Sequence, residues 1–163
     1  MNEVIVKAIN KQINAEMYSA YLYLAMAAYF DDKSLGGFAN WMKIQAKEEM
    51  AHAMKFYEYV YEREGKVELE AIEKPGADFD SPLEVFEKAL EHEKKVTSLI
   101  NGLYELSIQE KDYAFQSFLK WFIDEQVEEE NSANEIIERL KLAGEKGPGL
   151  FMLDRELGAR KVE

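Results

Sequence analysis

Glu16, Glu49, His52, Glu93, Gln126 and Glu129 stand where helical periodicity calls for core side chains. Glu49 and His52 are three residues apart, so they share one helix face about one turn apart. Together the six residues offer four carboxylates, one imidazole and one amide. A buried carboxylate without a partner costs several kcal/mol or gives up its charge. Metal ions relieve that cost. An oxygen-rich set with one nitrogen suits iron(II), manganese(II) or zinc(II) rather than copper(I). Four carboxylates exceed what one small dication needs in a dry core. Two ions, bridged by Glu49 with Glu129 as a second candidate bridge, balance the charge.

Four long amphipathic segments position these residues. Helices are expected over about 3–32, 38–64, 82–110 and 112–143, with a short fifth over about 150–157. The first carries Ile5, Ile9, Ile13, Ala20, Tyr23, Ala27 and Phe30 in a near-heptad stripe that Glu16 interrupts. The second carries Met42, Gln45, Phe56 and Tyr59 around Glu49 and His52, with Gly65 as its expected C-cap. The third carries Phe86, Leu90, Ile100 and Tyr104 around Glu93. The fourth carries Phe115, Phe118, Phe122, Ala133, Ile136 and Leu140 around Gln126 and Glu129. Ser81-Pro82-Leu83-Glu84 reads as an N-cap, a proline at the first helical position and a capping-box glutamate.

Helices of ~26–32 residues are ~40–48 Å long, and four of matched length make a bundle. The first and last connections are short, so they join antiparallel neighbours. The connection from Lys66 to Ser81 is long enough to run the length of the bundle. The expected architecture is all-α and forms one domain: two hairpins joined by one crossover. The polar interruptions fall near mid-helix and so converge on one layer. Salt-bridged surface glutamates are the bland alternative for any one of them. Four interruptions at matched depth argue against it.

The bulk composition narrows the function classes. The chain has 163 residues, 47% of them hydrophobic, and no cysteine. Disulfides, thiolate zinc sites and iron–sulfur clusters are therefore excluded. The formal net charge is −12, with no basic face for nucleic acid, and an acidic surface favours cations. No apolar run reaches the ~20 residues that span a bilayer, so no membrane partner is expected. Met1 begins an acid-containing amphipathic run rather than a signal peptide, and the expected location is cytoplasmic.

The chain resembles the non-haem ferritins of the bacterial and archaeal type. The likeness spans essentially all of it. It rests on Gln12–Glu16 with Tyr18–Leu24, on Glu48–Ala53, on the crossover before Ser81-Pro82, on Glu91-His92-Glu93 and on Trp121–Glu130. The resemblance implies a ferritin-like up-down-down-up bundle and a ferroxidase that oxidises Fe(II) with O2 or H2O2. It implies storage of Fe(III) as a mineral inside a hollow shell of 24 copies, with the fifth helix near the fourfold contacts. Glu16, Glu49 and His52 match the ligands of one iron, and Glu49, Glu93 and Glu129 those of a second. Gln126 matches a residue that helps position dioxygen or its products, and Tyr23 the tyrosine beside the centre. Glu48, Glu125, Glu128 and Glu129 match a third, weaker iron site.

Relatives with haem carry Glu-x-x-His in both the second and fourth helices. Here Gln126–Glu129 contains no histidine, so no haem is expected, although Met50 stands where the haem-ligating methionine would. Tyr23 has two open roles: a redox or hydrogen-bonding neighbour of the irons, or a core tyrosine bonded to Glu93 or water. Trp121 is expected as a packing or interface anchor rather than a redox neighbour. Tyr18, Tyr21, Tyr29, Tyr57 and Tyr61 fall off the stripes and could line subunit interfaces. Two other classes remain to be discriminated: a rubrerythrin-like or peroxidase-like di-metal enzyme that stores nothing, and a structural helical protein that binds divalent ions.

Overall fold

The computed structural model describes residues 1–162. Five helices follow in order: α1 (Glu3–Asp32), α2 (Gly36–Glu62), α3 (Pro82–Gln109), α4 (Tyr113–Ala143) and α5 (Pro148–Leu157). The first four form an all-α ferritin-like bundle. The α1/α2 and α3/α4 pairs are hairpins, α1 packs against α3, and α5 sits against α2 and α4. No described helix is long and apolar enough to cross a membrane.

Local chemistry sets the boundaries. Asn2 Oδ1 caps α1 by accepting the Val4 N–H at 2.8 Å. Ser81 Oγ caps α3 through the Glu84 N–H at 3.1 Å, and Pro82 follows at the first position. The expected capping box is not closed in the usual way, because Glu84 Oε2 accepts from the Asp80 N–H at 3.4 Å. Asp112 caps α4 through the Phe115 N–H at 3.0 Å. Asp112 also takes a forked pair from Arg63, at 2.9 and 3.1 Å, tying the end of α2 to the start of α4.

α2 begins and ends two residues earlier than the hydrophobic pattern suggests. Its end is not a left-handed glycine cap. Glu64 takes the positive φ of 60°, and the Gly65 N–H returns to the Val60 carbonyl at 2.8 Å. Gly65 sits in a crowded spot instead: a Cβ there would lie 2.9 Å from Val60 Cγ1, so Val60 would have to shift. α5 begins at Pro148, two residues before its expected start, right after Gly147 at φ 87°.

The crossover lies along α1. Asn10 and Asn14 hold it by bonds from their amides to the carbonyls of Lys66, Glu70 and Ala71. The core divides into two apolar clusters. One holds Tyr23, Met26, Phe30, Phe38, Met42 and Phe86. The other holds Ile9, Ile13, Phe56, Ile100, Phe115 and Phe122. Each large side chain so buried contributes roughly 1.5–3 kcal/mol. That apolar investment holds a polar layer buried between the two clusters.

Candidate metal centre

All four bundle helices feed the polar layer. α1 brings Gln12 and Glu16, α2 brings Gln45, Glu49 and His52, α3 brings Glu93, and α4 brings Gln126 and Glu129. All eight are buried, and Glu49 is fully so. Two triads of possible ligands share one carboxylate. Glu16, Glu49 and His52 form one, and Glu49, Glu93 and Glu129 the other. In each triad the donor atoms lie within 4.8 Å of one another.

Two glutamines orient the acids. Gln12 Nε2 donates to Glu16 Oε1 at 3.0 Å. Gln45 Nε2 donates to Glu49 Oε1 at 3.0 Å and to Glu129 Oε2 at 2.6 Å. His52 Nδ1 lies 3.2 Å from Glu49 Oε2 and 3.8 Å from Glu16 Oε2. These contacts leave three buried oxygens without a hydrogen-bond partner: Glu16 Oε2 and both oxygens of Glu93. Buried acceptors are normally satisfied. Each triad thus holds an acid with an orphaned oxygen, Glu16 in one and Glu93 in the other, which is what a cation-binding set looks like before its ions arrive.

The electrostatics agree. Burial pushes the Glu49 carboxyl up. It pushes Glu93 well up, with the charges of Glu49, Glu129 and Glu16 adding to the effect. Glu129 is raised to about 8 by burial and then by Glu49. Burial opposes the His52 imidazolium, but the neighbouring carboxylates of Glu16 and Glu49 outweigh it and push His52 up to about 11. Without cations, protons hold this layer together. Dications are the alternative.

Tyr23 is buried, and its phenol is held well above its usual pKa by burial and by the charges of Glu93, Glu49 and Glu129. Gln126 is also in the layer, but its amide nitrogen is committed to α3, bonding the Glu93 carbonyl and Thr97 Oγ1, each at 3.1 Å. Trp121 is 40% exposed, with its ring edge against His52 at 5.4 Å and Lys55 Nζ over its face at 3.1 Å. That is a packing position at the rim of the site.

Of the residues expected at the third, outer site, Glu125 and Glu129 converge with His52. Glu48 is half-buried and paired with Arg160, and Glu128 stands exposed on α4. Periodicity missed the orienting roles of Gln12 and Gln45, although each lies four residues before a candidate ligand glutamate, a spacing that puts amide and carboxylate in contact on a helix. It missed Arg160 altogether.

Known proteins resemble the chain over nearly its whole length. The sequence model of the Ferritin-like domain family matches residues 6–143. A bacterial non-heme ferritin of Bacteroides fragilis is 43% identical over 160 residues, covering 98% of this chain and 99% of its own. One from Staphylococcus aureus is 43% identical over 163 residues, covering 100% of this chain and 98% of its own. Among solved structures, an open-pore ferritin from the hyperthermophilic archaeon Archaeoglobus fulgidus superposes with a TM-score of 0.97. It is 53% identical and covers 99% of this chain and 98% of its own. A form of that ferritin engineered to be closed gives 0.98 at 52% identity, covering 100% and 99%. With the bundle, the crossover and the buried Glu/His layer all in place, the chain belongs to the ferritin family.

Proposed function

We propose that the protein is a ferroxidase that stores the iron it oxidises. Two Fe(II) ions enter the triads around Glu49, and each gives up one electron. O2 takes up the two electrons with two protons and becomes H2O2; where H2O2 is the oxidant, it becomes water. The observation that carries this reading is the set of three orphaned carboxylate oxygens, from Glu16 in one triad and Glu93 in the other. Hard carboxylates favour Fe(III) over Fe(II), which drives the oxidation. Gln45 holds Glu49 and Glu129 in register, and His52 and the protonated acids hand over their protons as the ions enter.

Storage needs a cavity that one bundle lacks, so the reading includes self-assembly into a hollow shell, with 24 copies as the proposed number. An apolar groove on the outer face of α1 and α2 supports association. It has a volume of about 650 Å3 and is lined by Met17, Ala20, Tyr21, Leu24, Met50 and Ile72. Tyr21 and Leu24 are each 50% exposed in the single chain, a continuous patch of the kind that marks an interface.

The test is aerobic addition of Fe(II) to the apo-protein, with absorbance and particle mass followed together. Rapid oxidation, hundreds of irons held per large particle and loss of the fast phase in Glu49→Ala are expected. Oxidation that stops after two or three irons in a small oligomer would instead identify a di-iron enzyme without a store.

A further inference from the structure

Beyond α5, the tail turns back onto α2. Asn40 Nδ2 holds it by the Arg160 carbonyl at 3.1 Å. The Arg160 guanidinium lies over the Trp41 ring, 4.3 Å from its centroid, and Nη1 donates to the Trp41 carbonyl at 3.1 Å. Nη2 makes two further bonds, to Gln45 Oε1 and to Glu48 Oε2, each 3.0 Å. One nitrogen of the tail thus touches both the residue that orients the centre and an acid expected at the outer iron site.

An amide has an acceptor end and a donor end. With Oε1 turned to Arg160, Gln45 must present Nε2 to the acids, and its two hydrogens go to Glu49 and Glu129. Those two carboxylates belong to the triad that also contains Glu93, and Glu49 belongs to both triads. Arg160 therefore sets the orientation of an amide that tethers two helices at the centre. The same guanidinium neutralises Glu48.

We propose that Arg160 is a positioning residue of the ferroxidase centre and the resident cation of the outer acidic site. An ion arriving at the acids expected to form the outer site, Glu48, Glu125, Glu128 and Glu129, of which Glu125 and Glu129 already converge, displaces the guanidinium from Glu48. Gln45 then loses the partner that fixes it, and Glu49 and Glu129 are loosened together. Filling the outer site weakens the hold on the inner pair, which suits the hand-over of Fe(III). By linkage, a filled inner pair disfavours the outer ion by the same factor. This inference rests on the ferroxidase reading.

Zn(II) tests it without redox chemistry. Calorimetric titrations would compare the intact shell of the wild type with Arg160→Ala, Arg160→Lys and Glu49→Ala. Removing Arg160 takes away a competitor at the outer site and a tether at the inner one, so the two affinities move in opposite directions. Arg160→Ala should bind the outer ion about tenfold tighter, the worth of one partly buried charge-assisted bond, and the inner ions more weakly. The Co(II) ligand-field band of the inner pair should shift. A tail that merely props up the fold would weaken both sites.

Arg160→Lys keeps a charge beside Glu48 without the fork, so it should restore the outer affinity but not the inner. It also serves as the reporter if Arg160→Ala does not fold. Equal weakening at both sites, no change at either, or a lysine variant as tight as alanine at the outer site would overturn the proposal. Tight Zn(II) binding at the inner pair, with its Co(II) band intact, that survives Glu49→Ala would instead overturn the ferroxidase reading itself.

Discussion

His52 and Glu49 are bound to each other before either can bind a metal: Nδ1 and Oε2 are 3.2 Å apart on the same face of α2. Burial works against the imidazolium, but the carboxylates of Glu16 and Glu49 carry His52 up to about 11. Glu129 stands at about 8. Both groups therefore hold protons at neutral pH, and an incoming ion must displace them. Filling the centre at pH 7 should release at least two protons, one from each. Titrating Zn(II) in two buffers of different ionisation enthalpy reads that number directly. Affinity should rise with pH up to about 8, where Glu129 has given up its proton unaided, and more slowly beyond. Binding independent of pH between 6 and 8 would mean that the layer is already deprotonated.

Glu93 makes the opposition between stability and function measurable. Both of its oxygens are buried without a partner, and burial holds its carboxyl well above the ordinary range. Glu93→Leu should therefore stabilise the metal-free protein, by about 1–3 kcal/mol, as apolar replacement of buried ionic groups often does. A group whose folded pKa is raised contributes stability that is full below its unfolded pKa, ~4.3 for glutamate. That contribution is lost as pH rises through the folded value. The advantage of the variant should then widen from pH 5 to pH 9. Gln126 bonds the Glu93 backbone carbonyl rather than its side chain, so that contact survives the change. Iron oxidation should be lost. Thermal unfolding of the apo-protein across pH checks the first part and stopped-flow absorbance the second. A less stable variant would show that Glu93 has a partner in the metal-free state.

Much of this layer is legible in the heptad steps because candidate ligands at core positions share the depth of the apolar residues around them. Glu16 follows Ile13 by three residues, and Glu129 precedes Ala133 by four, so their burial follows from their neighbours'. The stripes themselves were too narrow. Ala20, Leu90, Tyr104 and Phe118 are only half-buried, while Val96, Leu103, Leu119 and Ile137 lie in the core. A straight helix drifts about 20° per heptad, so a strict seven-residue step walks off the buried face. The tail was opaque for a different reason. Arg160 meets Glu48 across 112 residues and Asp154 meets Phe38 across 116, and no local pattern encodes either contact.

Asp154 gives α2 the cap that its own sequence lacks. Leu35 precedes the helix and makes no capping bond, and Asp154 Oδ1 from α5 accepts the Phe38 N–H at 2.9 Å. The close fit depends on Gly37, where a Cβ would fall 1.6 Å from the Asp154 carbonyl oxygen. Asp154→Ala should cost about 1 kcal/mol, the usual value of an N-cap. Gly37→Ala should cost more, about 1–3 kcal/mol, because backbone rather than a flexible side chain has to move. Both losses should appear in chemical denaturation midpoints. If Gly37→Ala proves the milder of the two, α5 can shift away from α2 without strain.

Charge opposes the assembly that storage requires. Each chain carries −12, so a shell of twenty-four carries about −288 before any cation binds. Against this stands the apolar groove of α1 and α2, edged by Lys43 and Lys47. Burying Tyr21, Leu24 and Met50 is insensitive to salt, whereas the repulsion between shell neighbours is screened over ~30 Å at ~0.01 M salt and over ~3 Å at ~1 M. Small oligomers should therefore dominate at the lower salt and full shells at the higher, read by light scattering of the metal-free protein. Divalent cations should achieve the same shift at far lower concentration, because they bind the acids rather than screen them. Particles of one size at both salt levels would mean that apolar packing alone outweighs the charge. Leu24→Glu should then break the shell where low salt does not.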